Sequence, residues 1–198
     1  MSQELLTTLV WMYYRVAVVF YVLVPLGLLV WAWAQRARAI LTLLSIYWQV
    51  SSLLMITVYL LIGALPIGFP VSLLAQVLLP TCLWFWVDIN EEIAERPGLL
   101  ARVTSIWRWI VTWAASLGAV AMLPFLRCGF LSSTALVADA QCRVWLEAPW
   151  GYRELFHRNV PATDLGFWGV VGLAVYGLAL AYFLLVRLAK QGRTALSP

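Results

Sequence analysis

VAVVFYVLVPLGLLVWAWA, residues 16–34, runs for nineteen residues without a charged side chain. A helix of about 20 apolar residues crosses the ~30 Å hydrocarbon core of a bilayer. The stretch is therefore read as a membrane span. Four more apolar runs follow, at 40–62, 69–87, 106–126 and 165–186, with Arg108 the one charged residue among them. Of the 198 residues, 64% are hydrophobic and only 11% charged, where a soluble domain is nearer a quarter charged. The expected fold is an all-α integral membrane protein: a five-transmembrane-helix bundle forming one domain over 1–198, with no separate soluble domain.

The net charge of +4 does not point to nucleic acid. Its arginines stand singly at the ends of apolar runs, where such residues orient helices and snorkel to head groups. Membrane lipids, not nucleic acid, are the expected partners. Glu4 occupies the region that would be basic in a cleavable signal, so the first run is expected to be retained. Residues 3–14 read as an interfacial lead-in, with Trp11, Tyr13 and Tyr14 at head-group level. Pro80 is expected to kink the third span, and Arg108 to snorkel from the fourth.

RCGFLSSTALVADAQCR, residues 127–143, opens the one long polar loop, 127–164. Cys128 and Cys142 read as a structural disulfide; two free thiols or a metal site are the alternatives. A zinc site would want more Cys or His ligands than His157 alone supplies, and no C-x-x-C spacing is present. Disulfides persist outside the cytoplasm. Five spans place the termini on opposite sides. The side holding residues 35–39, the acidic stretch and the C-terminus carries eight basic residues against five opposite. By the positive-inside rule that side is cytoplasmic. The N-terminus and the cysteine loop are then lumenal or periplasmic.

Asp88, Glu91, Glu92 and Glu95 in DINEEIAERPG fall at i, i+3, i+4 and i+7, on one face of a helix. Asp88 with Glu91 fits a capping box. The four carboxylates read as a solvated face meeting Arg96 and Arg102, as a docking patch for a basic partner, or as a cation site. Glu154 and His157, in ELFHR, form a single E-x-x-H, half of a di-iron motif. They are candidates for a pigment or metal ligand. The plainer reading is a short helix starting at Pro149 and lying on the outer membrane surface. Gly166, Gly169, Gly172 and Gly177 share one arc of the fifth span and suit close helix packing, or the approach of a flat pigment ring. Gln49, Ser51 and Ser52 are mid-span polar groups, read as interhelical glue or as the polar site of a carrier. No nucleophile–base pair or phosphate loop lies within a span, so no enzyme is expected.

VWMYYRVAVVFYVLVPLGLLVWAWAQ, LWFWVDINEEI, MLPFLRC, CRVWLEAPW and RLAKQGR, together spanning about residues 10–193, resemble a cyanobacterial membrane-protein family of unknown function, domain of unknown function number 3177. The resemblance implies a cyanobacterial thylakoid or plasma membrane. It brings no activity, ligand or catalytic residue. The function expected is an accessory, structural or assembly subunit of a photosynthetic membrane complex, contacting lipid and, as candidate cofactors, chlorophyll or carotenoid. The alternative is a small-solute or ion carrier or channel.

Overall fold

The computed structural model describes residues 3–196, and every regular element in it is helical. Helix α1 (Gln3–Ala17), a π-helical turn (Val18–Leu23) and α2 (Val24–Ala34) make one rod, Gln3–Ala34. Residues 3–14 are thus the first turns of the rod and not a separate lead-in. No breaker interrupts them, and Leu6 and Val10 are buried. At ~1.5 Å per residue the rod is about 48 Å long and overshoots a ~30 Å core.

Helix α3 (Arg38–Ile62) lies close to its expected bounds. The third span departs from expectation. Helix α4 (Gly68–Trp84) stops short of residue 87, and α5 (Val87–Glu95) leaves it at 59°. Its last carbonyls take donors from side chains rather than from a further turn: Asn90 Nδ2 donates to the Trp84 carbonyl at 3.0 Å and Arg108 to that of Leu83 at 2.6 Å. Helix α6 (Leu99–Met122) begins seven residues before the expected 106 and runs into a 3-10 stretch, Leu123–Phe130. Helices α7 (Ser133–Ala138) and α8 (Ala140–Phe156) form the polar loop. Helix α9 (Ala162–Tyr182), a π turn (Phe183–Arg187) and α10 (Leu188–Gln191) close the chain. Among the described residues four helices are long and apolar enough to cross a membrane, or five if the bent α4–α5 pair is one span.

Helix α3 is central, packed against α2, α4, α8 and α9, while α6 packs against α4 and the first rod and sets Trp107 against Tyr47 of α3. Leu43, Leu44, Tyr47, Leu79, Leu83 and Trp107 form the main core. A second cluster, with Leu6, Val10, Leu136, Val144, Trp145 and Leu146, seals the end under α8.

The expectation of a short helix starting at Pro149 is corrected. Helix α8 begins nine residues earlier, where Asp139 accepts the N–H groups of Gln141 (2.9 Å) and Cys142 (3.0 Å) as an N-cap. Pro149 sits inside it and has no N–H for the Trp145 carbonyl four residues back; Tyr14 Oη donates to that carbonyl instead, at 3.3 Å. Pro25 repeats the device in the first rod. It leaves the Tyr21 carbonyl without its usual donor, and Tyr47 Oη supplies one at 2.8 Å. Trp107 Nε1 donates to the adjacent Phe20 carbonyl at 2.9 Å.

Candidate functional site

Helix α9 meets α3 through glycine. A Cβ on Gly63 would lie 2.7 Å from Gly166 Cα, one on Gly169 2.9 Å from the Leu60 nitrogen, and one on Gly172 3.2 Å from Ile56 Cγ1. A Cβ on Gly177 would meet nothing within 4 Å, so Gly177 takes no part in the α3–α9 contact. The close approach ends near Gly172, and Tyr176 Oη then reaches the Val50 carbonyl at 3.4 Å. Beyond it lies a groove of about 1230 Å³ between α3, the end of α4 and the second half of α9. Aliphatic and aromatic side chains dominate its walls, with Thr42, Ser45, Gln49, Ser52 and Thr81 among them.

Gln49 and Ser52 therefore reach the groove. The two serines do not join helices. Ser51 Oγ donates to the Trp48 carbonyl at 3.3 Å and Ser52 Oγ to that of Gln49 at 2.7 Å, both within α3.

Thr194, Ala195 and Leu196 wall the surface end of the groove. This segment is fastened to the α4–α5 corner. The Val87 N–H donates to the Arg193 carbonyl at 3.2 Å, and Arg193 Nε to the Phe85 carbonyl at 2.9 Å. Asp88 Oδ2 accepts the N–H groups of Ala195 (2.7 Å) and Leu196 (2.5 Å). The capping box is corrected accordingly: Trp86 is the N-cap of α5, and Asp88 spends one oxygen on the Ile89 N–H at 2.9 Å and the other on the chain's last described residues. Glu91, Glu92 and Glu95 are exposed. Among the described residues they form no ion pair with Arg96 or Arg102.

Arg108 does not snorkel. It is 3% exposed and turns inward. Its guanidinium donates to the Leu83 carbonyl and to Asn90 Oδ1 and lies 4.0 Å from the centre of the Trp84 ring. Trp84 Nε1 in turn donates to Thr112 Oγ1 at 2.8 Å. The cation is held where α4 ends, at the negative pole of its helix dipole. A second buried polar contact joins α1 to α4: Gln76 Nε2 donates to Tyr13 Oη, beside Gly118, where a Cβ would come within 2.9 Å of that oxygen.

Sequence reasoning missed both clusters. Gln76 is the lone amide of the third run and carried the same signal as Gln49. Asn90, eighteen residues from Arg108, sits in a stretch that read as surface, and nothing in the spacing pairs them.

At the opposite end Cys128 and Cys142 are bonded, with Cα atoms 5.8 Å apart, and both are fully buried. Arg127 pairs with Asp139 at 3.2 Å. The Cys142 N–H above all, helped by the Gln141 N–H and Arg127, holds the Asp139 carboxyl below its ordinary range. His157 ends α8, its Nε2 3.5 Å from Tyr59 Oη, and Glu154 is exposed. Among the described residues no group of three or more His, Cys, Asp or Glu is placed to hold a metal ion.

The family model described as "Protein of unknown function (DUF3177)" matches residues 7–196, and the chain belongs to that family. No curated protein and no solved structure matches it.

Proposed function

We propose that this member of the family is a non-catalytic accessory, structural or assembly subunit of a larger membrane complex. The observation that carries the reading is the attachment of the last span. Only 6% of the most apolar window of Ala162–Lys190 is buried, against 33% for Arg38–Ile62. A helix clasped along three glycines and otherwise uncovered offers its remaining apolar sides to lipid or to another protein's helix. Three solvated carboxylates, Glu91, Glu92 and Glu95, supply a charged surface at the adjoining corner for a basic partner.

The resemblance to cyanobacterial proteins supports a photosynthetic complex of the thylakoid or plasma membrane. The eight-to-five bias of basic residues and the disulfide support a lumenal or periplasmic N-terminus and a cytoplasmic C-terminus.

The test is gentle solubilisation of native membranes followed by a native pull-down, with an absorption spectrum taken on the purified protein to report chlorophyll or carotenoid. Co-migration with a complex is expected. Replacing Glu91, Glu92 and Glu95 together by Gln should leave the protein inserted and weaken that association in a salt-sensitive way. Migration as a free small protein under every light condition would count against the reading.

One observation favours a carrier instead: Gln49 and Ser52 line the groove. Solute flux into reconstituted vesicles that is lost in Gln49→Leu would establish it.

A further inference from the structure

Gln49 stands eleven residues from Arg38 and thirteen from Ile62, the two ends of α3. At ~1.5 Å per residue those distances are about 16 Å and 20 Å, so the amide sits close to the middle of the hydrocarbon core. It is exposed, and its side chain has no hydrogen-bond partner among the described residues. The hydroxyls around it differ: Ser45, Ser52 and Thr81 donate to the carbonyls of Leu41, Gln49 and Val77. In hydrocarbon an amide left without partners is costly. Gln49 is also central to the groove beside α9, whose lining on α3 runs from Thr42 to Ile56, seven residues or about 10 Å to either side. An aromatic ring is held at the same level. Tyr176 lines the groove, and its hydroxyl is fixed on the Val50 carbonyl. Ser45, Gln49, Val175 and Ala179 are exposed along the length of the groove, while residues 194–196 wall its surface end. Its open side therefore faces the bilayer.

We propose that this groove is a binding site for a quinone with an isoprenoid tail, its ring beside Gln49 and Tyr176. Gln49 Nε2 donates to a ring carbonyl, and in the reduced form a ring hydroxyl donates to Gln49 Oε1, so both forms fit. The flat ring packs on Tyr176 as one aromatic on another. Other occupants of a groove of about 1230 Å³ match it less well. A glycerolipid carries its hydrogen-bonding groups at head-group level and would lay methylenes against the amide. A hydrated ion or sugar would lose more water than one amide replaces, and no carboxylate or histidine lines the groove. A rigid polyene that crosses the core needs ~30 Å and would overrun the end at Ile56 and Gly172. A quinone has a compact ring, and its flexible tail leaves through the open side into lipid. The site does not depend on membership of a complex.

The full-length protein, purified in mild detergent, would be titrated with decylubiquinone, and separately with decylbenzene, which has a ring and the same tail but no carbonyl. Native mass spectrometry counts what is retained. One decylubiquinone per protein is expected, at saturation, with decylbenzene held more weakly. Gln49→Leu should weaken decylubiquinone about fivefold, the scale of one neutral hydrogen bond, and leave decylbenzene unchanged. Ala179→Trp, which puts an indole into the groove, should remove both from a protein whose Cys128–Cys142 bond is intact. Equal retention of the two probes by the unmodified protein would overturn the proposal. So would undiminished affinity in Gln49→Leu, a variant that breaks no contact and serves even if Ala179→Trp fails to fold. A co-purifying phospholipid that decylubiquinone does not displace would give the groove to a glycerolipid, and polar-solute flux through Gln49 would give it to transport; either ends the proposal. A protein that binds the quinone yet migrates alone from native membranes would end the subunit reading and leave the site standing.

Discussion

At the scale of single residues, the prolines explain aromatic positions that composition could only count. Twelve tryptophans and eight tyrosines suggest interfacial belts and lipid or pigment contacts. Several instead repair the backbone. Pro25 and Pro149 each remove a donor inside a helix, and Tyr47 and Tyr14 supply it from a different helix. In a low-dielectric interior a carbonyl left without a donor costs ~1–3 kcal/mol. Tyr47→Phe is therefore expected to destabilise the protein by about that amount, measured by thermal unfolding in mild detergent. In a Pro25→Ala background residue 25 regains its N–H, so the same Tyr47→Phe change should cost less than half as much. An equal cost in both backgrounds would sink the account. Pro149 was legible in the sequence only as a helix start, and Pro25 only as a member of the first apolar run. Their partners were not legible, because Tyr47 is 26 residues from Tyr21 and Tyr14 is 131 from Trp145.

At the scale of elements, apolar run length was a good guide to which segments are helices and a poor one to where they end. The runs carry 40–62 closely because Gly63 and Pro66 stop α3 locally. The third span ends early for a reason remote in sequence: Arg108 and Asn90 satisfy the carbonyls of α4 and let the chain turn. The glycine arc of α9 was legible as a face, but not where contact along it stops. That boundary can be measured. Gly169→Ala would press a methyl within 2.9 Å of the Leu60 backbone nitrogen, an overpacking that costs ~1–3 kcal/mol. Gly177→Ala meets nothing within 4 Å and should be neutral, or stabilising by up to ~1 kcal/mol through helix propensity. Melting temperatures should thus move in opposite directions, or one fall while the other holds. Equal losses would mean that α9 packs along its whole length.

At the scale of the whole molecule, the two ends of the bundle are fastened by different chemistry. One end is held by hydrogen bonds around Asp88 and Arg108. The other is held by the covalent tie between Cys128, after α6, and Cys142, in the first turn of α8, with the Asp139 N-cap between them. Closing that 15-residue loop is worth roughly 3 kcal/mol in the chain-entropy model, and only an oxidising compartment maintains it. Orientation and redox chemistry thus have to agree. In the inner membrane of a bacterial host, with buried Cys82 replaced by Ser, a cysteine at Asn159 (exposed, beyond α8) should react with a membrane-impermeant maleimide added to intact spheroplasts. A cysteine at Glu92, exposed on α5, should react only after permeabilisation. The reverse pattern would put the disulfide on the reducing side, where it would not last, and would move the Glu91–Glu92–Glu95 surface to the outer face of the membrane. The labelling pattern therefore decides which compartment a basic partner must come from.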